Sequence, residues 1–310
     1  MIILSKLKLS FLIIIFALIT ITPISVLAQY QQITNSFIVS PSKQELKLGP
    51  GESVIRNIYI TNKLGHDADF MISIEDVAGT KNEAEVIKYY GNNLGPYSIR
   101  NYTMVEDDRI HITAGETRVV PVLFTLPTKI KPGGLYGGVF VTAINSSPNN
   151  GTRVSTRIGS LIFLRIKGDL RETAEVKNFN LISNRKILLT RSPAKFQIVF
   201  ENQGNIYLNP YGMIEIKNWR GRVVERLPIE PWFVYPDSVR SRVISWTNMP
   251  LVGYFNATLI LNHGYSVPYT SNLDYRFFIF PLPLILGLLV FSLLFFVIYK
   301  IIKRLKKWQI

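Results

Sequence analysis

The chain of 310 residues has no cysteine. That absence removes disulfide staples, thiol nucleophiles and thiolate metal sites, and leaves core burial as the source of stability. Histidine is nearly as scarce: His66, His111 and His263 are the three present, no two with metal-ligand spacing and none in a nucleophile motif. Acidic residues are missing from both ends, so all 21 lie in the middle of the chain. No glycine-rich loop stands between a strand pattern and a helix pattern, so no phosphate cradle is expected. Long helical periodicity is also absent outside two apolar end segments. These absences point to a protein without cofactor, bound metal or catalytic machinery.

The net charge of +14 looks like a nucleic-acid signal until it is dissected. Lys6 and Lys8 lie in the first apolar segment, and Lys300, Lys303, Arg304, Lys306 and Lys307 follow the last one. The middle keeps 28 bases against 21 acids. Half of the excess therefore belongs to the ends, and no nucleic-acid partner is expected.

The ends have their own grammar. Residues 1–28 carry two lysines, an apolar run from Leu9 to Ile21, a break at Pro23 and small residues around Ala28. That order is expected of a signal peptide. Residues 277–299 form an uncharged apolar run of the length of one membrane helix, and residues 300–310 form a basic tail. The expectation is a single-pass cell-membrane protein, its middle outside the cell and its tail in the cytoplasm.

The middle reads as short strands. "SVIRNIYITN", "DFMISIED", "RVVPVLFTLP" and "KFQIVFEN" alternate apolar and polar residues with period two, as half-buried antiparallel strands do. Many such strands at short spacing predict an all-β fold of two immunoglobulin-like β-sandwich domains, over residues 36–172 and 174–276. The two halves repeat each other. Asn62 and Asn202 end matching strands, and "KPGGLYGGVFVT" and "MPLVGYFNATLI" each lead through a proline and a tyrosine, Tyr136 or Tyr254, into a late strand. The first copy is longer by 22 residues, an insertion expected within 81–112. Its strand "VSTRIGSLIFLRI" closes the first domain. Tyr136 and Tyr254 are expected as structural loop tyrosines, although their parity sets them opposite the core residues of their strands.

The segments "VSPSKQELKLGPGESVIRNIYITN", "KPGGLYGGVFV" and "ENQGNIYLNPYGMIEIKNWRGRVVERLP" resemble the WxL-interacting proteins of Gram-positive cell surfaces. The resemblance implies peptidoglycan binding by the first domain and contact with another surface protein by the second. The chain itself offers two contact clusters: Tyr89, Tyr90 and Tyr97 in the insertion, and Trp232, Phe233 and Tyr235 between two prolines. The expectation is a non-enzymatic, membrane-anchored surface module binding cell-wall glycan or a surface protein. The alternative is a chaperone-like assembly component that holds a client strand at an open sheet edge, for which "VSTRIGSLIFLRI" is the candidate edge. Arg157 and Arg165 would decide whether that edge is blunted.

Overall fold

The computed structural model describes residues 36–83, 85–144, 156–183, 186–189 and 192–307. The expected signal peptide lies outside them. The strands of the first half are β1 (Ser36–Ser40), β2 (Lys43–Leu48), β3 (Ser53–Lys63), β4 (Ala68–Ala78), β5 (Lys88–Tyr89), β6 (Thr103–Val105), β7 (Arg109–Ile112), β8 (Thr117–Thr125), β9 (Gly133–Ile144) and β10 (Arg157–Ile166). Those of the second are β11 (Ala174–Leu181), β12 (Ile187–Leu188), β13 (Ala194–Asn202), β14 (Tyr211–Asn218), β15 (Val223–Ile229), β16 (Ser238–Trp246), β17 (Gly253–Asn262) and β18 (Thr270–Ile279). A single described α-helix, α1 (Leu282–Lys307), follows.

The alternation read from the sequence becomes two β-sandwiches. One pairs the sheet β1-β3-β8-β6 with the sheet β2-β10-β9-β4-β5, to which β7 adds beside β4. Their inward residues, among them Phe37, Ile58, Ile60, Phe70, Val122, Phe124, Val141 and Leu164, form one buried cluster. The other pairs β11-β13-β16 with β12-β18-β17-β14-β15 around Phe196, Ile198, Phe200, Ile214, Trp246, Leu259 and Phe277. Each such side chain contributes about 1.5–3 kcal/mol on burial, and that replaces the missing disulfides.

The repeat is visible in the ladders. β1-β3-β8 corresponds to β11-β13-β16, and β2-β10-β9-β4 to β12-β18-β17-β14. Even the exceptional parallel pairs recur: β2 beside β10, β12 beside β18. The two asparagines make the same three bonds. Asn62 Nδ2 donates to His66 O and Ile112 O, both at 2.9 Å, and Leu64 N–H donates to its Oδ1. Asn202 Nδ2 donates to Ile206 O at 2.8 Å and Val234 O at 2.9 Å, and Gly204 N–H donates to its Oδ1. An amide can saturate a buried strand end in this way because it donates and accepts at once.

The C-terminal expectation is corrected. The apolar run 277–299 is not one helix. Phe277 and Ile279 complete β18 and are buried in the second core, where they pack as strand residues, and α1 begins only at Leu282. Among the described residues no helix is long and apolar enough to cross a membrane. Lys300 and Lys303 are exposed on α1, and the side chains of Arg304, Lys306 and Lys307 are outside the described set, as is that of Leu284.

His263 is the buried titratable group of the second sandwich. Its Nε2 lies 2.6 Å from Ser271 Oγ, and its ring meets Phe200, Tyr265 and Tyr269 edge-on. Burial holds its pKa below the ordinary 6.5. The unfolded chain therefore takes up the proton first as pH falls. Stability is full above pH 6.5 and declines as pH drops from there toward the lower folded-state value. Thermal melts between pH 7.5 and 5 should show that decline, and His263→Phe should flatten it. An unchanged slope in the variant would assign the titration elsewhere.

Candidate functional site

The motif "PGGLYGGVF" is explained by aromatic rings laid across glycines. Along β9, Val139 and Val141 face the first core, and Tyr136 and Phe140 face the other way. A Cβ on Gly134 would stand 1.8 Å from Tyr136 Oη, so only glycine lets the phenol fold back along its own strand. A Cβ on Gly159 of β10 would stand 2.4 Å from the Phe140 ring, and one on Gly138 would stand 2.8 Å away.

Those rings build a third cluster, between the sandwiches. Tyr136 meets Tyr97, Phe163, Tyr207 and Tyr235 edge-on at 6.0, 5.6, 6.1 and 5.1 Å. Its Oη accepts the N–H of Tyr207 at 2.7 Å, and burial pushes its pKa well up. Tyr136 is thus a junction residue, correcting the expectation of a loop tyrosine. Tyr254 has no such role: it is half-buried against Phe278, at 4.9 Å.

The insertion is the second tie across the junction. Asp76, fully buried at the end of β4, accepts from the N–H groups of Gly95 (2.9 Å), Ile99 (2.9 Å) and Arg100 (3.0 Å). The loop so anchored reaches the second sandwich. Tyr97 Oη donates to Asp237, Val239 N–H donates to Thr80 O at 2.8 Å, and Gln197 donates to Glu83 at 3.0 Å. Burial, and then the Asp237 carboxylate, raise the pKa of Tyr97.

The structure divides the six expected contact residues. Tyr89 is exposed, against Phe140 at 5.8 Å, and Tyr90 is half-buried beneath the Lys88 ammonium at 5.2 Å. Tyr97 is engaged with Asp237. Trp232 is buried in the second core beside Phe200, and Tyr235 stacks on Phe163 at 5.5 Å inside the junction. Phe233 is covered by the Arg240 guanidinium at 4.5 Å. Tyr89 alone presents an open face. The sequence did not reveal Asp76, Phe140, Phe163 or Tyr207, whose partners lie on other strands.

The strand edges differ in how they are finished. β2 carries Lys43, Glu45 and Lys47. β8 has Pro121 just beyond its short pairing with β6. β11 has a bulge between Val176 and Asn178, and β15 contains Pro228. On β16, Arg240 and Arg242 share the parity of core-facing Ile244 and Trp246. β18, open beyond its pairing with β12, carries Asp274 and Arg276. Charge, proline, bulge and inward arginine are the usual devices that prevent edge pairing.

β10 is finished differently. β9 pairs it along its whole length, but β2 covers only Leu161–Ile166. Leu161 N–H donates to Ser42 O, so outward-directed backbone groups fall on odd residues. Arg157 and Gly159 therefore present N–H and C=O with no ladder partner among the described residues. Ile158, Gly159 and Ser160 include no charge, proline or bulge. Arg157 is drawn off the edge, over Phe140 at 4.2 Å and paired with Glu75. Arg165 lies within the covered part, paired with Glu172.

No family model matches the chain, and no curated protein matches it. Solved structures do. One is a chaperone–tip adhesin complex of CFA/I fimbriae biogenesis: 13% identity over 78% of this chain and 98% of that one, TM-score 0.42. A second is the class 5 fimbriae chaperone CfaA, with 15% identity over 78% and 99% and TM-score 0.40. A third is the E. coli chaperone DraB, with 12% identity over 77% and 98% and TM-score 0.37. The expected kinship with WxL-interacting proteins is corrected, since no family model and no curated protein matches the chain; the similar solved structures named above are of fimbrial chaperones. The membrane-anchored surface module, with its wall-glycan or surface-protein partner and single-pass location, is corrected with it, since the described residues contain no spanning helix.

Proposed function

We propose that this chain is a non-enzymatic, chaperone-like assembly component, built of two immunoglobulin-like domains over residues 36–172 and 174–276, that holds a client strand at the free edge of β10. The observation that supports the reading is the contrast among edges. Those of β2, β11, β15, β16 and β18 are blunted, and Arg157–Ser160 offers unpaired backbone beside a fully formed hairpin. A strand added there would extend the sheet by backbone hydrogen bonds, and the half-buried Ile158 at the lip of the core would read one side chain of the client. The aromatic junction and the insertion would keep β10 at a fixed angle to the second sandwich, so that a client lying along the edge meets a formed surface.

Photo-crosslinking in cells tests this. The photoreactive p-benzoylphenylalanine replaces Arg157 in one version of the full chain and Val243, on the β16 edge, in another. The account expects a discrete adduct from position 157, mapping by mass spectrometry to one segment with apolar residues at alternate positions. Position 243 should give at most a tenth of that yield. Equal yields, or adducts scattered over many segments, would remove the β10 edge as the binding element.

A further inference from the structure

A cavity of about 670 Å³ opens on the second sandwich where β12 begins. Its walls include Lys186, Ile187, Tyr254, Asp274, Arg276 and Phe278. The local fold explains it. β12 is two residues long and covers β18 only at Phe278 and Ile279, so the edge of β18 is notched beside Arg276, and the chain bends there at Lys186. Phe277 and Ile279 face the core, which sends Arg276 and Phe278 outward. The Phe278 N–H donates to Lys186 O at 2.6 Å, so edge-directed backbone groups fall on even residues. The Arg276 N–H therefore faces the notch with no ladder partner among the described residues. Tyr254 stands across from Phe278 on β17, with ring centroids 4.9 Å apart.

The donors around this notch are unspent. The Lys186 ammonium, the Arg276 guanidinium and the Tyr254 hydroxyl have no hydrogen-bond or ion-pair partner among the described residues. On the outward face of the same sheet, Lys217 and Arg226 are both paired with Glu215. The one acid in the wall is already engaged: Asp274 Oδ1 accepts from Thr258 Oγ1 at 2.6 Å and Asn256 Nδ2 at 3.2 Å. Beside the donors lies open apolar surface, with Phe278 48% exposed and Ile187 53%.

The geometry points to a binding site for a small aromatic phosphate ester, its phosphate held by Lys186, Arg276 and Tyr254 and its ring laid against Phe278. A phosphate monoester offers three terminal oxygens to three separate side-chain donors, and its charge suits two cations. A carboxylate, with two oxygens, serves the same set less completely. The cavity is of ordinary small-ligand size, larger than a phosphate alone needs, and the exposed Phe278 ring gives the remaining space a surface on which a planar group stacks. The site shares no residue with the β10 edge, so it stands or falls independently of the strand-holding reading.

Titration of the purified full chain with phenyl phosphate, followed by phosphorus NMR line broadening, tests this. The expected dissociation constant is about 1 mM or below. Inorganic phosphate, which lacks the ring, and benzoate as a competitor, which lacks the third oxygen, should each bind at least fivefold more weakly. Arg276→Gln and Lys186→Gln should each weaken phenyl phosphate binding at least tenfold with the circular dichroism spectrum unchanged, since both side chains are exposed. Arg118→Gln removes an exposed cation from the first sandwich and should leave binding as it was. If Arg276→Gln fails to fold, Lys186→Gln carries the same expectation. Inorganic phosphate or benzoate binding as tightly as the ester, an equal loss in Arg118→Gln, or no broadening specific to the parent chain would overturn the inference.

Discussion

Tyr136→Ala should be the most damaging single substitution in the junction, lowering stability by about 3–5 kcal/mol, the range for truncating a buried aromatic. The ring touches four other aromatics, drawn from the insertion, β10 and the second sandwich, so its loss opens a cavity where two sandwiches meet. The phenol also accepts the Tyr207 N–H, so truncation strands a donor. Tyr136→Phe separates the two effects. It keeps the ring and loses the acceptor, and should cost about 1 kcal/mol. Denaturant melts of the three proteins give the comparison. A Tyr136→Ala chain as stable as the parent would mean that the sandwiches are not joined through this cluster.

Asp76→Ala should cost nearly as much, about 3–5 kcal/mol, by a different route. Asp76 is buried and its carboxylate receives three backbone N–H groups, and alanine leaves all three donors without that acceptor, the fully buried one at Ile99 among them. The effect should be local first. Amide exchange at Gly95, Ile99 and Arg100 should rise by orders of magnitude, and the Tyr97–Asp237 contact should be lost with them. Asp76→Asn keeps the volume but turns one acceptor into a donor, so an intermediate loss is expected. If exchange at those amides is unchanged in Asp76→Ala, the loop is held by something other than the carboxylate.

The sandwich pattern was legible because alternation reports burial directly. Ile58, Ile60, Val122, Phe124, Ile198 and Phe200 all sit where period two puts them. The repeat was legible through Asn62 and Asn202, since a buried asparagine at a strand end makes local bonds that leave a local signature. Tyr136 was half legible. Its parity set it on the face opposite Val139, but nothing local says that a second sandwich waits there. Asp76 and Trp232 were not legible at all. One is an acid in an ordinary alternating strand, and the other sits in a proline-bounded aromatic run that reads equally as a contact surface. Both are decided by residues distant in the chain. The apolar stretch from Phe277 misled for a related reason: hydropathy cannot distinguish a strand closing a core from the start of a helix, and Phe277 and Ile279 are claimed by the core.

The exposed contact candidates shrink accordingly. Of the two aromatic clusters read from the sequence, most members consolidate the junction or the second core, and the free backbone of β10 becomes the more specific feature. An edge of this kind needs no exposed aromatic patch. Under the proposed function its affinity would come from backbone groups that every residue carries, and its selectivity from where the neighbouring strand stops.

Hydrogen exchange on the full chain tests that claim most directly, read at the amides of Arg157, Gly159 and Leu161 with and without an acetylated nonapeptide of alternating isoleucine and threonine. In the free protein the account predicts fast exchange at Arg157 and Gly159 and slow exchange at Leu161, whose N–H is already given to Ser42. With the peptide, Arg157 and Gly159 should slow at least tenfold, and Leu161 and the amides of β16 should not change. If Arg157 and Gly159 are already as protected as Leu161 in the free chain, or if the peptide protects β16 instead, the free edge of β10 is not where this protein takes a strand.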